Sequence, residues 1–340
     1  MLSLPLPEPS FVCVDDVSRI LCCVVAKVKS FDLTFVQRPW VLTANKCAKD
    51  STILNLIHSH AKRREFRDAI RETWANQPNF LTVFVLARSG SDELEESTKA
   101  ESEQFGDILK LDFLDSYKNL TFKHASAYRW AIENCPDVQY ILKADDDTFV
   151  DTLHLPRYIQ AFDMLPSTSF ILCYVQTTEN PIRNPKGKNS KWFLDLNEYP
   201  RDDFPNFCAG AAYLTTLGAI KLIYEQLSDT PFLFIDDVLL TGLVVENLPS
   251  IIHLDWKEAF LSRHESDRKD LLDPKVGFYS PLFMVAMDLK PVEMRIIMQK
   301  AQLCASRQAE CYDLIHKSSE LQQFRPPIIP RKNSWRHIEL

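Results

Sequence analysis

Two groups of carboxylates are placed where they could do chemistry. Asp145, Asp146 and Asp147 directly follow an apolar run from Val138 to Leu142, broken by Lys143, and Asp236 and Asp237 follow a second one from Pro231 to Ile235. Like charges this close repel unless a cation, a basic cluster or water screens them. The triplet alone reads equally as a metal site and as a solvated acidic turn. Oxygen ligands favour hard cations such as Mn²⁺ or Mg²⁺. The Asp236–Asp237 pair reads either as a helix start, its charge facing the amide dipole, or as the source of a general base. One cluster holding an ion and one carboxylate left free would suit a metal-assisted reaction on a phosphate-bearing substrate. Lys62, Arg63, Arg64, Arg67 and Arg71 then offer cations to a diphosphate, or else form a solvated helix face.

The elements that must position these groups alternate. Val138 to Leu142 has the Val, Tyr and Ile of a buried strand. Ile53 to Ile57 is a short strand, and Arg67 to Trp74 a helix with Phe66, Ile70 and Trp74 on one face. Phe80 to Ala87 is nearly all apolar, as in a central strand buried on both faces. A long helix is expected from Leu120 to Cys135, and strands at Phe170–Val175 and Cys208–Thr215. Thr177 to Ser190 is a polar loop long enough for a binding lid or a disordered segment. Lys191 to Leu196 reads as an edge strand, and Asp236 opens a helix running to Val245. Such alternation predicts an α/β fold with a doubly wound, mostly parallel sheet. In such sheets the carboxyl ends of the strands share one face, where ligands bind. Residues 1–50 read as a leader or stem, 51–300 as the catalytic domain and 301–340 as a peripheral tail.

Composition excludes several classes. The net charge of -7 over 340 residues leaves no basic excess for nucleic acid. With only 7 Gly there is no glycine-rich phosphate loop. The 9 Cys contain no C-x-x-C, so a zinc ribbon is disfavoured and buried thiols or disulfides of an oxidising compartment remain. Asn119-Leu120-Thr121 is an N-x-T sequon. The apolar run Ile20 to Ala26 falls short of the ~20 residues of a membrane span, which leaves a soluble start or a missing leader open.

Several ordered blocks resemble the β-1,3-galactosyltransferase family. Arg67-Asp-Ala-Ile-Arg71-Glu-Thr73-Trp74 is similar to its R-x-A-I-R-x-T-W block, and Asp107 through Lys123 follows in step. Lys143-Ala-Asp-Asp-Asp147 resembles its D-x-D block. Phe207-Cys208-Ala-Gly210 up to Tyr213, and Asp236-Asp237-Val238 with Gly242, resemble two more. The resemblance implies a GT-A fold with a Rossmann-like sheet that binds a UDP-sugar with Mn²⁺ (or Mg²⁺). It implies inverting transfer to a hydroxyl of a glycan on a glycoprotein or glycolipid. Asp147 would ligate the metal, with Asp145 and Asp146 at the metal shell or the donor ribose. Asp237 would be the general base, and Arg67, Arg71 and Trp74 would support the donor pocket. A Golgi membrane location through one amino-terminal anchor is implied as well. Three departures are visible. Asp236 replaces a Glu, Ala212 stands where a Gly is usual, and Met287 stands where a metal-binding His is expected, with His253 or His264 as substitutes. Met is a poor Mn²⁺ ligand, so a catalytically impaired relative that binds UDP-sugar or glycan is the alternative expectation.

Overall fold

The computed structural model describes residues 30–75, 77–162, 169–261, 265–275, 279, 285–306 and 328–330. The strands are β1 (Ile53–His58), β2 (Phe80–Arg88), β3 (Ile108–Leu114), β4 (Tyr140–Asp145), β5 (Phe149–Val150), β6 (Phe170–Gln176), β7 (Phe207–Thr216), β8 (Ile252–Asp255), β9 (Phe260–Leu261), β10 (Val285–Ala286) and β11 (Ile328–Ile329). The helices are α1 (Leu33–Val36), α2 (Arg64–Glu72), α3 (Asp92–Phe105), α4 (Leu120–Asn134), α5 (Leu155–Phe162), α6 (Leu217–Gln226), α7 (Asp236–Val238), α8 (Val244–Glu246), α9 (Glu265–Leu272) and α10 (Pro291–Ser306). A π-helical stretch, Leu239–Leu243, joins α7 to α8 into one continuous helical segment.

The main sheet runs β11-β8-β6-β7-β4-β1-β2-β3. β3, β2, β1 and β4 are mutually parallel, as are β6 and β8. β7 lies antiparallel between β4 and β6, and β11 is antiparallel to β8. This is the expected α/β architecture with a mostly parallel sheet. Alternate residues of each central strand feed two cores: Leu54, Leu56, Val83 and Val85 on one face, Ile53, Ile57, Phe84 and Leu86 on the other. β2 is therefore buried on both faces, as its unbroken apolar run requires. α4 packs against α1, α6 and α7 on the first face, and α2 against α10 on the second.

The boundaries differ from the expected ones. Phe31, Val36 and Ala44 lie in the first core, and a Cys47–Cys135 disulfide fastens that segment to the end of α4. The folded unit thus begins before residue 51. At the other end α10 passes residue 300, and β11 adds a strand to the sheet edge. Lys191–Leu196 forms no edge strand. Ser190–Trp192 is a 3₁₀ turn, followed by an isolated bridge between Ile182 and Phe193. The apolar run Ile20–Ala26 lies outside the described residues. Among those described, no helix is long and apolar enough to cross a membrane.

Candidate active site

β4 delivers the acid triplet to the carboxyl edge of the sheet, and a turn at 146–148 passes the chain into β5. Asp145 pairs in register with His58 at the end of β1. Its carboxylate accepts from Lys143 Nζ at 2.7 Å. Asp146 is buried and accepts from Ser59 Oγ at 2.6 Å. Burial is the main force pushing Asp146 up to about 6, with the charges of Asp147 and Asp145 adding to it. Asp147 is 36% exposed and accepts from Arg63 Nη2 at 3.1 Å. Asp145 and Asp147 are thus hard oxygen donors at the mouth of the crevice, a donor chemistry that fits Mn²⁺ or Mg²⁺.

Strand pairing brings the Met287 run to this turn. β5 pairs antiparallel with β10, Ala286 opposite Phe149. The chain leaving β10 crosses Asp147, where the Leu289 amide donates to the Asp147 carbonyl at 2.9 Å. Met287, at the position expected to carry a His, is two residues before that contact, and its thioether side chain packs against the second core. His253 does not replace it. It sits in β8, its Nε2 2.7 Å from the Thr241 carbonyl oxygen. His264 lies outside the described residues.

The second acid pair arrives from the opposite wall. Because β7 is antiparallel to β4, its early residues lie beside the carboxyl end of β4. Lys143 Nζ donates to the Gly210 carbonyl as well as to Asp145. A Cβ at Gly210 would stand 2.9 Å from Asp237 Oδ2, so glycine is what lets the β7 backbone meet that carboxylate. The Val238 amide donates to Asp237 Oδ1 at 2.9 Å, and Thr241 Oγ1 donates to the Asp237 carbonyl at 2.6 Å. Burial first, then the charge of Asp236, pushes Asp237 up to about 7. Asp236 goes the other way. Burial raises it, but the hydrogen bond from His124 and the charges of His124 and Lys143 outweigh this and hold it below the usual range.

α4 supplies the groups beneath the pair. His124 Nδ1 is 2.8 Å from Asp236 Oδ2, and its Nε2 is 2.5 Å from the Tyr213 hydroxyl. Burial lowers the His124 pKa, while the hydrogen bond and charge of Asp236 oppose this. The Asp236 carboxylate accepts from Nδ1, and Nε2 meets the Tyr213 hydroxyl, which also contacts that of Tyr128. His58 packs edge-on to His124 at 4.6 Å, buried, with neither ring nitrogen hydrogen-bonded. His58, His124 and Asp236 have ligand atoms within 4.8 Å of one another. Both His124 nitrogens are already engaged, however.

Asp237 also lines a cleft of about 330 Å³, with Gly210, Trp192, Gln176, Asn180 and Glu179. The 177–190 loop is thus a wall of the cleft. Ala212 does not line it. It is fully buried, opposite Ala144.

The three side chains expected to support the donor pocket are engaged within the protein. Arg67 is 1% exposed, with Nε and Nη2 on Glu101 and Nη1 on Ser59 Oγ and the His60 carbonyl. Arg71 is spent on Asp68, Glu101 and Asp107. Trp74 is fully buried in the second core. These residues support the site from behind: Arg67 holds Ser59, which in turn holds Asp146. Lys143 and His124 serve the site without a role expected from the sequence. A lysine inside an apolar strand was a signal for the first, because a buried ammonium needs a carboxylate. His124 carries no such signal, because only the packing of α4 beneath Asp236 brings it to the site.

The sequence pattern of a family described as Galactosyltransferase matches residues 65–253. Beta-1,3-galactosyltransferase 1 of Homo sapiens is 34% identical over 210 residues, 60% of this chain and 63% of the relative. Beta-1,3-galactosyltransferase 5 of Mus musculus is 33% identical over 205 residues, 59% of this chain and 65% of the relative. The matches thus span less than two thirds of these relatives' length. Among solved structures, the galactosyltransferase LgtC in complex with donor and acceptor sugar analogs has a TM-score of 0.37 at 12% identity, over 74% of this chain and 95% of that one. The family pattern takes in more than half of the 340 residues, including both acid groups, and the chain belongs to the galactosyltransferase family.

Proposed function

We propose that this protein transfers a hexose (galactose, N-acetylgalactosamine or N-acetylglucosamine) from a UDP-sugar to a glycan hydroxyl, in β-1,3 linkage with inversion. The observation that carries this reading is Asp237. It has a proton affinity near neutrality, lines a sugar-sized cleft and adjoins the triplet through Lys143 and Gly210. Family membership and the names of the relatives support galactosyl transfer.

The acceptor sugar lies in the cleft, with Trp192 as an aromatic wall and the Gln176 and Asn180 amides as hydroxyl partners. Asp237 takes the proton from the attacking hydroxyl. The freed oxygen bonds the anomeric carbon on the face opposite the diphosphate. The bond from that carbon to the diphosphate breaks, UDP leaves with the electron pair, and the configuration inverts. Asp147 and Asp145 would hold a Mn²⁺ or Mg²⁺ ion, which when bound neutralises the departing diphosphate.

The test is a panel of UDP-sugars with Mn²⁺ and a glycan acceptor. Asp237→Asn should cost roughly 10²- to 10⁴-fold in turnover and leave UDP binding unchanged. Near-normal turnover in that variant would sink the base assignment. A second reading, an impaired relative that only binds UDP-sugar or glycan, is favoured by Met287 in the run beside Asp147. UDP binding without transfer or donor hydrolysis across the whole panel would establish it.

We place the protein in the Golgi lumen, anchored to the membrane. The Cys47–Cys135 and Cys173–Cys208 disulfides support an oxidising compartment. Recovery of the full chain in the cytosolic fraction of its own cells would refute this placement.

A further inference from the structure

Arg63 reaches the acid triplet from the start of α2. Its Nη2 donates to Asp147 Oδ2 at 3.1 Å, and its Nε lies 2.8 Å from Asp146 Oδ1. The Nε proton is not aimed at that oxygen, so a buried donor is left without a hydrogen bond. The guanidinium rests on the Phe66 ring, 3.8 Å from its centroid. The side chain is 34% exposed and so has room to move. Its neighbours differ. Arg67 and Arg71 are locked into carboxylates, and Lys143 is buried between Asp145 and Gly210. Arg63 is thus a partly exposed cation at the crevice rim, and its fork matches two phosphate oxygens as well as two carboxylates.

An ion on Asp147 and a guanidinium on Oδ2 of the same carboxylate share one negative charge, and the two positive charges repel. We propose that Arg63 is a movable counter-cation, which occupies Asp146 and Asp147 in the donor-free protein and passes to the donor's diphosphate when nucleotide and divalent ion enter. This rests on the reading that the crevice binds a UDP-sugar with such an ion. Binding order follows from it. The divalent ion alone meets a site whose carboxylate is taken, whereas the ion arriving with nucleotide finds Arg63 drawn off onto phosphate.

The test is calorimetric titration of the wild type, Arg63→Ala and Arg63→Lys with MnCl₂ alone, UDP alone and UDP with MnCl₂. Arg63→Ala should bind Mn²⁺ alone about two- to fivefold more tightly, the range expected for losing a partly exposed competing pair. It should bind UDP roughly tenfold more weakly, having lost a charge-assisted contact to phosphate. Arg63→Lys keeps the charge without the fork and should fall between on both measurements. The opposite signs are what a merely structural role would not give. Mn²⁺ and UDP affinities that fall together, or that both stay put, overturn the proposal while leaving the donor reading intact. A wild type that binds no UDP under any of these conditions overturns both.

Discussion

Asp237 and Asp236 are neighbours in sequence with opposite proton affinities, because His124 donates to one and burial beside a like charge governs the other. A base must be deprotonated to act. With a carboxyl near 7, the rate of transfer should fall as pH drops below that value and level off above it. Replacing Asp236 by Asn removes the like charge, so the acidic limb should move to lower pH. The pH dependence of kcat/KM reads both effects. A wild-type limb near the ordinary carboxylate value of about 4 would contradict the assignment. Sequence alone marks both aspartates but cannot rank them, since ranking depends on a helix more than a hundred positions upstream.

At the scale of elements, α2 is tied to α3 by a buried ion pair. Arg67 and Glu101 meet at 2.5 Å, each side chain 1% exposed, and Arg71 joins them. Glu101 is raised by burial but brought below its usual range by hydrogen bonds and charge from Arg67 and Arg71. Its contribution is therefore present above the ordinary carboxylate pKa and lost as pH falls through the lowered one. Glu101→Ala leaves Arg67 buried without its main partner, which should cost about 3–5 kcal/mol. Chemical denaturation near neutral pH measures it, and a loss under ~1 kcal/mol would mean the pair is not structural. The helix pattern placed α2 at Arg67–Trp74, whereas it runs Arg64–Glu72, starting three residues earlier and ending two earlier. It did not show that Arg67 and Arg71 face α3, because Glu101 sits on a helix that is polar over most of its surface.

The whole molecule is closed by long-range ties. Cys47–Cys135 spans 88 positions and holds the segment before β1 against α4. Cys173–Cys208 spans 35 and joins β6 to its antiparallel neighbour β7. On chain entropy alone the longer loop is worth about 4.6 kcal/mol. Cys47→Ser should lower the unfolding free energy by up to roughly that amount. Denaturation midpoints of variant and parent under non-reducing conditions check this. Equal midpoints would show that the tie restrains nothing the core does not already hold.

Local chemistry in the sequence determined the alternating α/β pattern, the strand end at Asp145–Asp147 and the helix start at Asp236. Each of these depends on residues within a few positions of one another. Tertiary structure decided what each charge meets. The antiparallel insertion of β7 brings Gly210 and Asp237 to Asp145 through Lys143. The β5–β10 pairing lays the Met287 run across Asp147. The packing of α3 takes Arg67 and Arg71 out of the crevice and leaves Arg63 in it. Charges select partners by distance in space, and for these groups most of the deciding partners lie far away along the chain.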